Sequence, residues 1–176
     1  MGLDITVFGQ GELKLQRDSF KTTDEYYEAL EAQDLEAVFV NPDFVQRADG
    51  MVSGGYDAPR LSGFRAGSYS GHYQFRNSLT EYLTKEADFT KYLRNLPEKS
   101  IDSLETSPPF YELIEMSDCE GVLGPKTCAK LAKDFEEHAE RFAATHGVGS
   151  WTTDTYNRWK DGLKLAADNG GFLTFH

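Results

Sequence analysis

The chain has 176 residues, 39% of them hydrophobic and 13% aromatic, enough to bury one core and too much for a disordered polypeptide. Its formal net charge of −11 excludes general nucleic-acid binding, which needs Lys and Arg clustered against phosphate. No apolar run approaches the roughly 18 residues of a membrane span, so no membrane partner is expected.

Leu3, Ile5 and Val7 alternate with polar neighbours and predict a first strand over 3–8. The opening Met1-Gly2-Leu3-Asp4-Ile5-Thr6 also fits a myristoylation pattern formally, but the alternation favours the strand. Thr22 or Thr23 can cap a helix carrying Tyr26, Tyr27, Ala29 and Leu30, and Glu36–Val40 is a second strand candidate. Asn41-Pro42-Asp43 then stops regular structure. The stretch 41–71 holds six glycines and reads as a long loop, ordered by Phe44, Tyr56, Phe64 and Tyr69. A helix follows from His72 through Phe75, Leu79, Tyr82 and Leu83, continuing or restarting through Phe89, Tyr92 and Leu93.

Pro108-Pro109 begins a short helix carrying Phe110, Leu113, Ile114 and Met116. The strongest helical pattern runs from Pro125 to about Thr145, with Cys128, Leu131, Ala132, Phe135 and Phe142 on one side. Another helix starts near Thr153 and stops at Asn169-Gly170-Gly171, before a last strand ending at Phe175. These elements predict a single α+β domain over 1–176. Strands 3–8, 36–40 and 171–175 form its small sheet, four or five helices pack on it, and helix 125–145 crosses the sheet through Leu131, Phe135 and Phe142.

Between Gly63 and Arg76 the sequence reads G-F-R-A-G-S-Y-S-G-H-Y-Q-F-R. Glycines let a backbone approach a ligand closely, and Arg65, Ser68, Ser70, His72 and Arg76 offer donors suited to an anion. Residues 60–99 carry seven Lys or Arg against four acids, a positive island in an acidic chain. The expected ligand-binding set is therefore Arg65, Gly67, Ser68, Tyr69, Ser70, His72 and Arg76 at a helix start, where unpaired N–H groups and the helix dipole favour phosphate or carboxylate. No dinucleotide or P-loop fingerprint is matched. A structural alternative pairs Arg65 and Arg76 with acids such as Asp49 or Asp118.

Ser117-Asp118-Cys119-Glu120-Gly121 resembles half of a calcium loop. Aligned on Gly121, however, the first and twelfth ligand positions fall on Met116 and Thr127, so no calcium site is expected. The turn reads as a helix cap, or else Asp118 and Glu120 accept hydrogen bonds from a ligand. Neither His72, His138, His146 and His176 nor the two cysteines have metal-ligand spacing, and hydrolase signatures are lacking. Hence no catalytic residue, metal or cofactor is expected. Cys119 and Cys128 lie nine apart with no secretory leader ahead of them, which reads as reduced thiols in a cytoplasmic protein.

The opening M-G-L-D-I-T, N-P-D-F with R-A-D-G at 41–50, G-F-R-A-G-S-Y-S-G at 63–71, F-Y-E-L-I-E-M-S-D-C-E-G-V-L-G-P at 110–125, K-L-A-K-D-F at 130–135 and the ending from Ala166 resemble an uncharacterised family of small proteins from tailed bacteriophages and bacterial genomes with prophage regions. The resemblance implies an intracellular, phage-related accessory protein and carries no activity. Where the family has an aromatic pair after the glycine segment, this chain has His72 and Phe75. Three functions compete on these grounds: a non-catalytic binder of a small anionic ligand or nucleotide, in a phage setting one that sequesters a host immune signal; an acidic inhibitor of a host protein or DNA mimic; and a nucleotide-processing enzyme using Asp118, Glu120 or His72. Homo-oligomerisation is left open.

Overall fold

A computed structural model describes residues 2–116 and 120–176. Among them lie seven strands and six α-helices, forming one α+β domain built on two small antiparallel sheets. No helix of the described residues is long and apolar enough to cross a membrane.

Strand β1 (Gly2–Phe8) is central to the first sheet, whose order is β5 (Arg60–Ser68), β1, β7 (Leu173–Phe175), β6 (Gly121–Leu123). Leu3, Ile5 and Val7 turn into the main core. Thr6 and Phe8 are buried on the other face, where Phe8 stacks on Phe172 with centroids 5.0 Å apart. The second sheet has the order β2 (Glu12–Gln16), β4 (Gly54–Asp57), β3 (Glu36–Val38). Helix α1 (Thr23–Gln33) covers it. The capping box expected at its start is present, with the Thr22 hydroxyl accepting from Glu25 N and the Glu25 carboxylate reaching back to Thr22 N. A small cluster of Phe8, Val38, Ala48, Tyr56, Val122 and Phe172 welds the two sheets together.

Of the segment expected as 36–40, Glu36–Val38 forms a strand, and it pairs in the second sheet instead of joining β1 and β7. Its partner β4 lies inside the stretch expected to be a loop. That stretch is instead a 3-10 helix (Pro42–Ala48) followed by β4 and β5. The glycines mislead because two of them serve close packing: a side chain at Gly54 would strike the Leu15 carbonyl, and one at Gly55 would strike Leu30.

After β5, helix α2 (Tyr69–Thr84) begins three residues earlier than expected, and α3 (Phe89–Asn95) restarts after a left-handed Lys85. Helix α4 (Tyr111–Glu115) is short. Helix α5 (Pro125–His146) forms as its periodicity predicts, with Leu131, Phe135 and Phe142 fully buried, but its main neighbour is α6 (Trp151–Asp168) and not the sheet. Helix α6 lies on β5, β1 and β7, and Gly162 lets it approach Phe64 where a Cβ would collide.

Candidate functional site

The glycine segment is an edge strand running into a helix. Arg65 is exposed on β5, and its carbonyl accepts from Arg158 Nη1 at 3.2 Å. A bulge leaves Ala66 unpaired between Arg65 and Gly67, and Gly67 takes a φ of +119°, a conformation that favours glycine. Ser68 caps α2, its Oγ accepting from Gly71 N at 3.0 Å and lying 2.9 Å from Ser70 Oγ. Tyr69 and Ser70 are exposed beside it.

His72 and Arg76 share one face of α2, as their spacing requires, but that face is the core: they are 2% and 3% exposed. Arg76 Nε donates to the Ile114 carbonyl at 2.7 Å and Nη2 to that of Glu115 at 3.4 Å, with the guanidinium 3.8 Å from the centre of the Phe89 ring. His72 Nε2 donates to the Met116 carbonyl at 3.3 Å, and its ring meets Phe175 edge-on. The expected anion site is therefore not assembled. Arg65, Ser68, Tyr69 and Ser70 stay outside with Gly67 beneath them, while His72 and Arg76 point inward. Glu120 sits at the opposite edge of the sheet, next to β6, and Asp118 lies outside the described residues.

Burial, with the Arg76 charge adding to it, lowers the His72 pKa from 6.5 to about 4. Unfolded chain takes up a proton as pH falls below 6.5, whereas folded chain resists until about 4. Stability should therefore be full above neutral pH and fall by up to about 3 kcal/mol on acidification to pH 4. Urea titrations at stepped pH check this, and His72→Gln should lack that part of the slope. Equal slopes in the two proteins would refute it.

A different place brings an anion-binding group and aromatic rings together. At the junction of the two sheets, a cleft of about 520 Å³ is lined by Arg17, Tyr26, Tyr27, Phe39, Ser53, Glu120 and Phe175, a size within the range of small-molecule sites. Arg17 follows β2. Its Nη2 donates to Thr23 Oγ1 at 2.9 Å, and its guanidinium lies 5.2 Å from the centre of the Tyr26 ring. Tyr26 and Tyr27 rings are 5.4 Å apart, and Tyr27 and Phe39 are 53% and 49% exposed, which leaves both rings accessible. Burial, with Tyr27 adding, raises the Tyr26 phenol above its ordinary value and keeps it neutral. Ser53 Oγ accepts from Val40 N at 2.9 Å and retains its own hydrogen to donate.

Glu120 reaches this cleft because Asn41 Nδ2 donates to its carbonyl at 3.1 Å. Arg76 and His72, expected to touch a ligand, instead hold the carbonyls of Ile114, Glu115 and Met116 in the core, and Phe175, which lines the cleft, has the His72 ring against it. Of the expected set, Glu120 alone among the described residues lines the cleft. Sequence reading missed Arg17, Phe39 and Ser53 because each comes from a different short element.

A second cavity of about 430 Å³ lies against Arg47, Tyr111, Glu112 and Glu115. Its guanidinium is already committed to Glu115, and Asp43, Asp102 and Glu112 make the rest of the wall acidic, so it is unsuited to an anion. No family model, curated protein or solved structure matches the chain.

Proposed function

We propose that this protein is a non-catalytic binder of a small anionic ligand, a phosphate-bearing molecule with a planar ring such as a nucleotide, held in the cleft between the two sheets. The observation that carries this reading is Arg17: in an acidic chain it has no carboxylate partner among the described residues, and it lies on an aromatic wall. A guanidinium takes phosphate through paired N–H donors, while Tyr27 and Phe39 offer faces for a ring. In the setting implied by the motif resemblance, a phage-borne protein in the host cytoplasm, the corresponding role is sequestering a nucleotide that signals host defence.

Two groups suited to nucleophilic or acid–base work, Cys128 and His72, are withdrawn from the surface, which supports binding over catalysis, while Glu120 and His176 remain at the cleft. Cys128 is fully buried, with burial pushing its thiol up, and His72 is buried behind Phe175. Exposed acids on α1 (Asp24, Glu28, Glu31) and α5 (Glu136, Glu137, Glu140) favour a second reading, docking on a basic host protein as inhibitor or DNA mimic.

Melting the protein with a panel of mononucleotides and cyclic nucleotides tests the first reading. A ligand at 100 times its Kd adds about 2.7 kcal/mol of stability. Arg17→Ala should weaken binding by about 1.5–3 kcal/mol, while Arg65→Ala leaves it unchanged. Absence of any stabilising compound, or affinity that survives Arg17→Ala, sinks the proposal.

A further inference from the structure

Resting on that reading, the lining chemistry narrows the ligand. The titratable and charged side chains that line the cleft, apart from the two tyrosines, are the Arg17 guanidinium, the Glu120 carboxylate and the His176 imidazole, the last beside Thr174 Oγ1 at 2.9 Å. Among the described residues no side chain bonds the Glu120 carboxylate, although its backbone is fixed by Asn41. A carboxylate repels phosphate, so a ligand that fills the cleft directs its phosphate to Arg17 and a donor-bearing edge to Glu120. Two carboxylate oxygens accept in parallel from two neighbouring N–H groups in one plane. Among the common bases only guanine presents an imino N–H beside an amino group on one edge; adenine, cytosine and uracil each offer a single donor group there.

We infer that the cleft selects a guanine nucleotide, with Glu120 reading the imino and amino groups of the base and Arg17 holding the phosphate. Charge limits the phosphate count as well. Arg17 is a single guanidinium beside the exposed Asp18 and the acidic first turn of α1, an environment suited to one phosphate. Ser53 adds a neutral hydroxyl at the wall.

The test measures the affinity of the whole protein for GMP, IMP, AMP, UMP and GTP by calorimetry, then repeats the series with Glu120→Gln. IMP keeps the imino N–H of guanine and lacks its amino group, so it isolates the paired contact. GMP should bind at least tenfold tighter than IMP, AMP and UMP, with GTP no tighter than GMP. Glu120→Gln should remove the preference for GMP over IMP. Glu120 is exposed, so this variant is expected to melt with the parent. Binding without base preference, or a preference unchanged in the variant, overturns the inference and leaves the binding site standing. Failure of every nucleotide to bind overturns the underlying reading and this inference with it.

Discussion

Phe135→Ala is expected to destabilise the protein by about 3–5 kcal/mol. The ring is fully buried, 4.9 Å from Phe110 and 4.6 Å from Tyr156 between ring centres. Tyr156 is held in turn by its hydroxyl, which donates to the Phe135 carbonyl at 2.7 Å, and by stacking on Phe142 at 4.2 Å. Rings fixed by a hydrogen bond and by each other cannot collapse into the space left, so the cavity cost adds to the lost burial. Urea unfolding measures the change, with the denaturant slope unchanged. Phe39→Ala is the control: half exposed on the cleft, it should shift stability little. A loss under about 1 kcal/mol at Phe135 would remove α5 from the core.

Much of this packing is written in periodicity. Leu131, Phe135 and Phe142 recur at helical spacing, and Leu3, Ile5 and Val7 alternate, so both elements are legible without any partner. What is not legible is which element each one meets. Helix α6 intervenes between α5 and the sheet because Gly162 allows close approach to Phe64, and a glycine inside a helix does not announce that on its own. The same ambiguity hid β4: Gly54 and Gly55 signal close backbone contact as readily as a turn, and reading them as a turn left β3 without its true partner.

For the site, the direction of His72 and Arg76 was legible and overlooked. With Phe75, Leu79 and Thr80 they occupy i, i+3, i+4, i+7 and i+8 of one stripe, and all five are buried. Three polar residues inside that stripe point to buried hydrogen bonds, which the carbonyls of residues 114–116 supply to His72 and Arg76 and the Arg76 carbonyl supplies to Thr80. Arg17 is the opposite case. It stands among charged neighbours, and only the meeting of α1, β3 and the end of β7 turns it toward rings.

Lys130→Ala is expected to cost about 3–5 kcal/mol, because it strands a charge that nothing else can neutralise. Glu112 is 0% exposed, and its carboxylate accepts from Ser107 Oγ and, at 2.7 Å, from Lys130 Nζ. The same ammonium bonds Asp134 at 2.8 Å and the Pro108 carbonyl at 2.7 Å, so one cation serves three acceptors. Asp134, whose carboxyl is raised by burial, also accepts from Phe110 N at 2.9 Å, and Phe110 is held at a φ of +61°, a conformation bulky residues rarely adopt. Removing Lys130 therefore frees two carboxylates and weakens the tether on a strained residue. If the penalty comes from the unpaired charge and not from lost packing, the double variant Glu112→Gln with Lys130→Met should be more stable than Lys130→Ala, despite carrying one more change. Denaturant titrations of the three proteins decide it. A double variant no better than the single one would place the cost in packing, and a Lys130→Ala loss under about 1 kcal/mol would mean that the buried carboxylate finds another partner.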